Sequence, residues 1–326
     1  MKPVGGSLFI ADGHCDTVHL FAEKDYHFGC RNTKGHLDLC RLREAGVKLQ
    51  FFALFIEPEY KPYRSLERAL QLVGLFWGEI NRHREEMMLI KTAKDLENCL
   101  QGPKIAALMA LEGGEPLEGS TEIVEVFYRL GLRSVGLTWN QRNGLADGVG
   151  VGRAAGGLTE AGKNLVRTFN RLGIIVDAAH LAPRSFYDLL ETAERPVLVS
   201  HANAKALCAH PRNLDDEQLL ALRAQGGVVG MTFYPGFIAE NRTANLEALL
   251  DHFCHVADVA GVEILALGSD FDGIDAVLPE LPDVASLPVL AEGLKRRGFS
   301  EAEVQAILGG NILRLVRGNL LQEEIL

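Results

Sequence analysis

The residues Gly13-His14-Cys15-Asp16 follow a short apolar run, Phe9-Ile10-Ala11. His14 and Asp16 stand two apart, so an extended chain puts both side chains on one face and Cys15 on the other. An imidazole nitrogen beside a carboxylate oxygen suits a divalent cation such as zinc. One His-x-Asp pair is common, but comparable residues recur just past other apolar runs. Glu112 follows Leu111, His180 follows Val176-Asp177-Ala178-Ala179, His201 follows Val199-Ser200, and Asp270 follows Leu267-Gly268-Ser269. Three histidines and three acids at the ends of apolar runs are a donor set for metal-assisted hydrolysis. Two ions about 3.5–4 Å apart can activate a water and polarise a carbonyl. A carboxylate left over, Asp270, would then act as general base and acid.

Something must bring these run ends together. The candidate strands are Leu8–Asp12, Lys48–Ile56, Ile105–Leu111, Ser134–Thr138, Ile174–Ala178, Val197–Ser200, Val228–Phe233 and Ile264–Gly268. Helical patterns separate them. Ser65–Arg84 carries Leu66, Ala69, Leu70, Val73 and Trp77 at three- and four-residue spacing, and Thr159–Leu172, Asp215–Gln225 and Ala244–Ala260 read similarly. Gly131, Gly173, Gly226 and Gly261 fall where left-handed helix ends are expected. Eight strands alternating with helices, without a linker, predict one domain over residues 1–326, a (β/α)8 TIM barrel whose strand C-termini share a single rim. A doubly wound open sheet is the alternative, but its Gly-rich phosphate loop after the first strand is missing. The proline-bearing segments Glu57–Tyr63 and Ala276–Pro288 are expected to be loops that contact substrate.

Composition narrows the partners. The chain has 326 residues, 47% hydrophobic and 23% charged, with a formal net charge of −10. Such a balance argues against nucleic-acid binding, which needs a basic surface. Six cysteines without a CxxC pair read as reduced thiols, and no signal segment, membrane anchor or spanning run is read, so the expected location is cytoplasmic.

The motifs Gly13-His14-Cys15-Asp16-Thr17, Leu111-Glu112-Gly113-Gly114, Asp177-Ala178-Ala179-His180, Pro196-Val197-Leu198-Val199-Ser200-His201, Arg212-Asn213 and Gly268-Ser269-Asp270-Phe271-Asp272-Gly273 together resemble the membrane (renal-type) dipeptidase family. These are di-zinc peptidases of the amidohydrolase superfamily. The resemblance runs from about Ile10 to Gly309-Gly310-Asn311-Ile312-Leu313-Arg314. It implies two Zn2+ per chain, with Mn2+ or Co2+ as substitutes. His14 and Asp16 would bind one ion, His180 and His201 the other, and Glu112 would bridge them. Arg212 would hold the carboxylate of a small dipeptide, a task its planar fork suits. A homodimer is a further expectation of the resemblance.

The chain departs from the family in the Asp177-Ala178-Ala179-His180 motif, where a Leu-Ser pair is frequent, and at one further position. Trp139 stands where some members carry a histidine that polarises the scissile carbonyl, and Asn140 or Arg142 are candidate replacements. Tyr234 is a further pocket candidate by its position after the seventh run. Asp272 reads as a rim hydrogen-bonding residue, and His19, His27, His36, His252 and His255 as ordinary surface or core histidines. The leading expectation is a zinc-dependent dipeptidase. Its alternatives are another binuclear amidohydrolase acting on a small carboxylate-bearing amide or lactone, and a binding protein that keeps the barrel without activity.

Overall fold

The computed structural model describes residues 9–240 and 244–325. Within them nine strands form one all-parallel sheet: β1 (Ile10–Asp12), β2 (Val47–Phe55), β3 (Met87–Leu89), β4 (Ile105–Glu112), β5 (Leu132–Gly136), β6 (Ile175–Asp177), β7 (Leu198–Ala202), β8 (Val228–Met231) and β9 (Leu265–Leu267). The order is β2-β1-β9-β8-β7-β6-β5-β4, and β2 pairs again with β4 from Leu49↔Ala106 to Phe55↔Glu112. Eight strands therefore close into the expected barrel. The extra strand β3 pairs with β4 at Ile105, Ala106 and Ala107, on the edge that β5 takes over from Met109.

Alternation along each strand divides the apolar side chains between two clusters. Ala11, Leu49, Phe51, Ala106, Leu108, Ile175, Leu198, Val228 and Ala266 fill one, together with Ile312, Leu315 and Val316. Ile105, Ala107, Met109, Val176, Val199, Val229 and Leu265 face the other, where the surrounding helices pack. Strands buried on both faces must read as continuous apolar runs, which is why the sequence pattern exposed them. Glu112 shares the parity of Ala106 and Leu108, so it projects into the barrel mouth.

The boundaries differ from expectation in places. The predicted Ser134–Thr138 strand begins two residues earlier, at Leu132, and Leu8 lies outside the described residues. In the helix Ser65–Arg82 the buried face is Ala69, Leu72, Val73, Phe76 and Ile80, whereas Leu70 is exposed. The helix Glu160–Leu172 begins on Thr159, whose hydroxyl accepts from Gly162 N, and ends on Gly173 at φ 68°, as expected. Gly261 is not a left-handed cap, because its ψ of 159° is extended. Among the described residues no helix is long and apolar enough to cross a membrane.

Candidate metal centre

Every proposed ligand lies at or just beyond a strand C-terminus, where parallel strands leave their last side chains free. His14 and Asp16 follow β1, Glu112 ends β4, His180 follows β6, His201 lies in β7 and Asp270 follows β9. All are buried. Two of them sit in a backbone region that non-glycine residues rarely adopt, His180 at φ 67° and Asp270 at φ 66°. Such strain persists only where the surroundings impose it and clusters at functional sites. Gly273 belongs to the same construction. A Cβ there would lie 2.1 Å from Asp16 Oδ2 and 2.9 Å from Asp270 Oδ1, so only glycine lets both acids approach.

Glu112 stands between two groups. Its Oε2 is 3.4 Å from His14 Nε2, and its Oε1 is 2.8 Å from His180 Nε2 and 3.8 Å from His201 Nε2. His14 Nε2 is also 3.2 Å from Asp16 Oδ2 and 3.8 Å from Asp270 Oδ1. The ligand atoms of His14, Glu112 and His201 lie within 4.8 Å of one another, as do those of His14, Asp16 and Asp270.

The fit of a cation can be tested at His180 and His201, whose Nε2 atoms are only 2.8 Å apart. His180 Nδ1 donates to Asn140 Oδ1 at 2.9 Å. Ser200 Oγ donates to Asp177 Oδ2 at 2.5 Å and so receives the proton of His201 Nδ1 at 2.8 Å. Both outer nitrogens therefore hold the ring proton, and two lone pairs face each other across the gap. A shared or neighbouring cation relieves that repulsion, and oriented imidazoles of this kind are how proteins hold metal ligands.

Charge points the same way. Burial, helped by the nearby Arg212 charge, pulls His180 down to about 3, and burial next to His14 keeps His201 well below its ordinary value. Burial lowers His14 too, but Glu112 and Asp16 beside it outweigh this and raise it well above normal. Burial raises Asp16, with Glu112 adding repulsion, and drives Asp270 well above the carboxylate range. Burial opposes the charge of Glu112, yet His14 and His180 hold it well below its usual value. Three buried acids with two neutral imidazoles are short of positive charge, which divalent ions would supply.

A cavity of about 620 Å³ opens above this centre. Arg212, Trp139 and Tyr234 line it with Asp16, Glu112, His180, His201 and Asp270, and His14 lies against Asp16 and Glu112 behind that lining. Arg212 is buried, donates through Nη2 to His201 O at 3.1 Å, and keeps a buried Nε without a partner. Asn140 lines the cleft with its carbonyl oxygen on His180, whereas Arg142 pairs with Asp147 instead. Cys15 points away and donates its thiol to Phe51 O. Asp272 serves the rim as expected, accepting from Thr17 Oγ1 and His36 N.

His252 is a satisfied core residue, accepting from Ala204 N and facing Ile238 O, and His255 pairs with Asp216 near the surface. His19 corrects the sequence reading, because it lines the cleft. Glu57 meets the cleft as its loop was expected to, but Ala276–Pro288 lies just beyond the lining residues Asp272–Asp275. Sequence reasoning also missed His210 and Phe237, whose rings stack at 4.3 Å beside Arg212. Their only signal was nearness in sequence to Arg212 and Tyr234.

Comparison with known proteins agrees with this geometry. The family model described as membrane dipeptidase (Peptidase family M19) matches residues 1–324. An uncharacterized dipeptidase of Schizosaccharomyces pombe is 32% identical over 326 residues, spanning 94% of this chain and 80% of its own length. A crystal structure of a metallopeptidase, dipeptidase AC, superposes with a TM-score of 0.88 at 28% identity, covering 96% of this chain and 99% of that one. A metallopeptidase from Rhodobacter sphaeroides, liganded with a phosphinate mimic of the dipeptide L-Ala-D-Ala, gives 0.88 at 27% identity with the same coverage.

Proposed function

This chain belongs to the membrane dipeptidase family of metal-dependent peptide hydrolases, and from that premise we propose that it cleaves free dipeptides with two zinc ions. His14 and Asp16 would hold one ion and His180 and His201 the other, with Glu112, placed between the two groups, available to both. The 2.8 Å approach of His180 Nε2 to His201 Nε2 is the observation that carries the reading. When bound, the ions supply Lewis acidity that lowers the pKa of water and polarises the scissile carbonyl.

The chain's own groups do the rest. Asp270, whose carboxyl burial has made more basic than usual, takes the proton of the attacking water and returns it to the leaving amine. Arg212 presents its free Nε to the substrate carboxylate; burial lowers its pKa to about 10, which still leaves it charged near neutral pH. Asn140 and Ser200 fix the ring orientation of His180 and His201. Trp139 and Tyr234 wall the cleft against water and orient the substrate. A relative that binds a dipeptide mimic supports a substrate of two residues.

The test is amine release from L,L- and L,D-dipeptides beside an N-acetylated dipeptide, after chelation and metal restoration, with bound metal counted. Zinc-dependent cleavage of free dipeptides but not of the blocked one is expected. Two bound ions without cleavage would transfer the centre to another amidohydrolase reaction.

A further inference from the structure

Four rings line one side of the cleft in succession. Centroids of His19 and Phe55 are 6.0 Å apart, those of Phe55 and Trp139 5.3 Å, and those of Trp139 and His180 5.9 Å. The arc thus runs from a histidine outside the metal-ligand set to a candidate metal ligand. Phe55 ends β2, and Arg212 lies beyond β7. Those strands are four places apart in a ring of eight, so the Phe55 end of the arc lies across the centre from Arg212, and Trp139, which follows β5, stands between them. On the dipeptidase reading above, a substrate with its carboxylate on Arg212 and its scissile bond over the acids and histidines extends its N-terminal residue toward the arc.

The arc is held from behind. Lys61 Nζ lies 5.7 Å from the centroids of both Phe55 and Trp139. It lines a neighbouring cavity of about 580 Å³, whereas the two rings line the central cleft, so the ammonium sits on the far side of the wall. Glu115 Oε1, 3.2 Å away, anchors it there. At the outer end Glu57 is already neutralised, with Arg68 on both oxygens and His19 Nδ1 at 3.2 Å. Among the described residues no uncompensated charge remains at this end to draw a charged side chain, and apart from the unpartnered His19 Nε2 the wall is made of ring faces and edges.

We propose that this arc is the subsite for the side chain of the N-terminal residue, and that it selects a flat aromatic one. Phe55 and Trp139 are its specificity-determining residues, and Lys61 is a positioning residue behind them. Offset and edge-to-face ring contacts reward an aromatic guest beyond the area it buries.

The experiment compares Phe-Ala, Ala-Ala, Lys-Ala, Glu-Ala and Ala-Phe with the metal-replete enzyme. Phe-Ala is expected to exceed Ala-Ala by about ten- to a hundredfold in kcat/KM, with no such gain for Lys-Ala or Glu-Ala and a much smaller one for Ala-Phe. Phe55→Ala and Trp139→Ala should bring the Phe-Ala to Ala-Ala ratio close to one, whatever happens to the absolute rates. Phe55→Leu, which keeps apolar bulk and removes the ring, serves if the alanine variants fail to fold. Equal rates for Phe-Ala and Ala-Ala in the unmodified enzyme, or a ratio unmoved by both wall variants, would overturn the subsite and leave the dipeptidase reading standing. Failure to cleave any free dipeptide would overturn both.

Discussion

Arg133 and Arg212 are both buried, at opposite ends of the barrel, and their surroundings differ in kind. Arg133 stands near the start of β5, and each of its nitrogens is occupied. Nε donates to Lys91 O, Nη1 to Tyr128 O and Leu132 O, and Nη2 to Glu324 Oε1, with the guanidinium 3.7 Å from the Tyr128 ring centroid. Arg212, beyond β7 on the rim of the cleft, has His201 O as the acceptor for its guanidinium and, among the described residues, no partner for its buried Nε. Burial lowers the pKa of both. A buried donor without a partner costs about 1–3 kcal/mol, so a fold retains one only where something else repays the loss. Arg133 is spent on the fold, whereas Arg212 keeps the free donor that the proposed function assigns to a ligand.

The rim acids extend the contrast, and removing one gives the largest effect. Glu112→Gln should cut kcat/KM by a factor on the order of 1,000 or more and reduce bound metal, because the carboxylate that His14 and His180 hold charged is lost. A fall in melting temperature with metal content intact would place Glu112 with Arg133 instead.

Asp270→Asn should lower kcat by about 100- to 10,000-fold with metal retained, as loss of a proton-transfer group does. An equal loss of metal would make Asp270 a ligand first.

Arg212→Ala should raise KM for free dipeptides about 10- to 100-fold, and change it far less for the corresponding dipeptide amides, since a charge-assisted contact is lost. Equal effects on both substrates would remove its assigned role.

Arg133→Met, the smallest in activity, should leave kcat/KM within about twofold yet cost about 2–4 kcal/mol by calorimetry or denaturant, because an acid and three carbonyls lose their donor. A catalytic defect at unchanged stability would break the comparison outright.

Much of this centre was legible because metal chemistry restricts residue types and a barrel restricts their place. His14, Asp16, Glu112, His180, His201 and Asp270 each end an apolar run, and parallel strands bring such ends to one rim. What orients them was hidden. Asn140 reaches His180 over 40 positions and Asp177 reaches Ser200 over 23, and neither pairing leaves a periodic mark. Strand β3, Met87–Leu89, lies outside the ring of eight and directly after the charged run Arg84-Glu85-Glu86, and it was not read as a strand. His19 was passed over because nothing in its neighbours distinguishes a cleft histidine from a surface one.

Sequence by itself determined the alternation of strands and helices, the side of the barrel that carries chemistry, and the types of group available there. Those follow from local rules, namely side-chain periodicity and the donor sets that cations accept. Tertiary structure alone decided which ring nitrogens keep their protons, that Arg212 has a free donor while Arg133 has none, and that Phe55 and Trp139 share one wall of the cleft. Each depends on atoms distant in sequence meeting within a few ångströms, and only the closed barrel determines which ones meet.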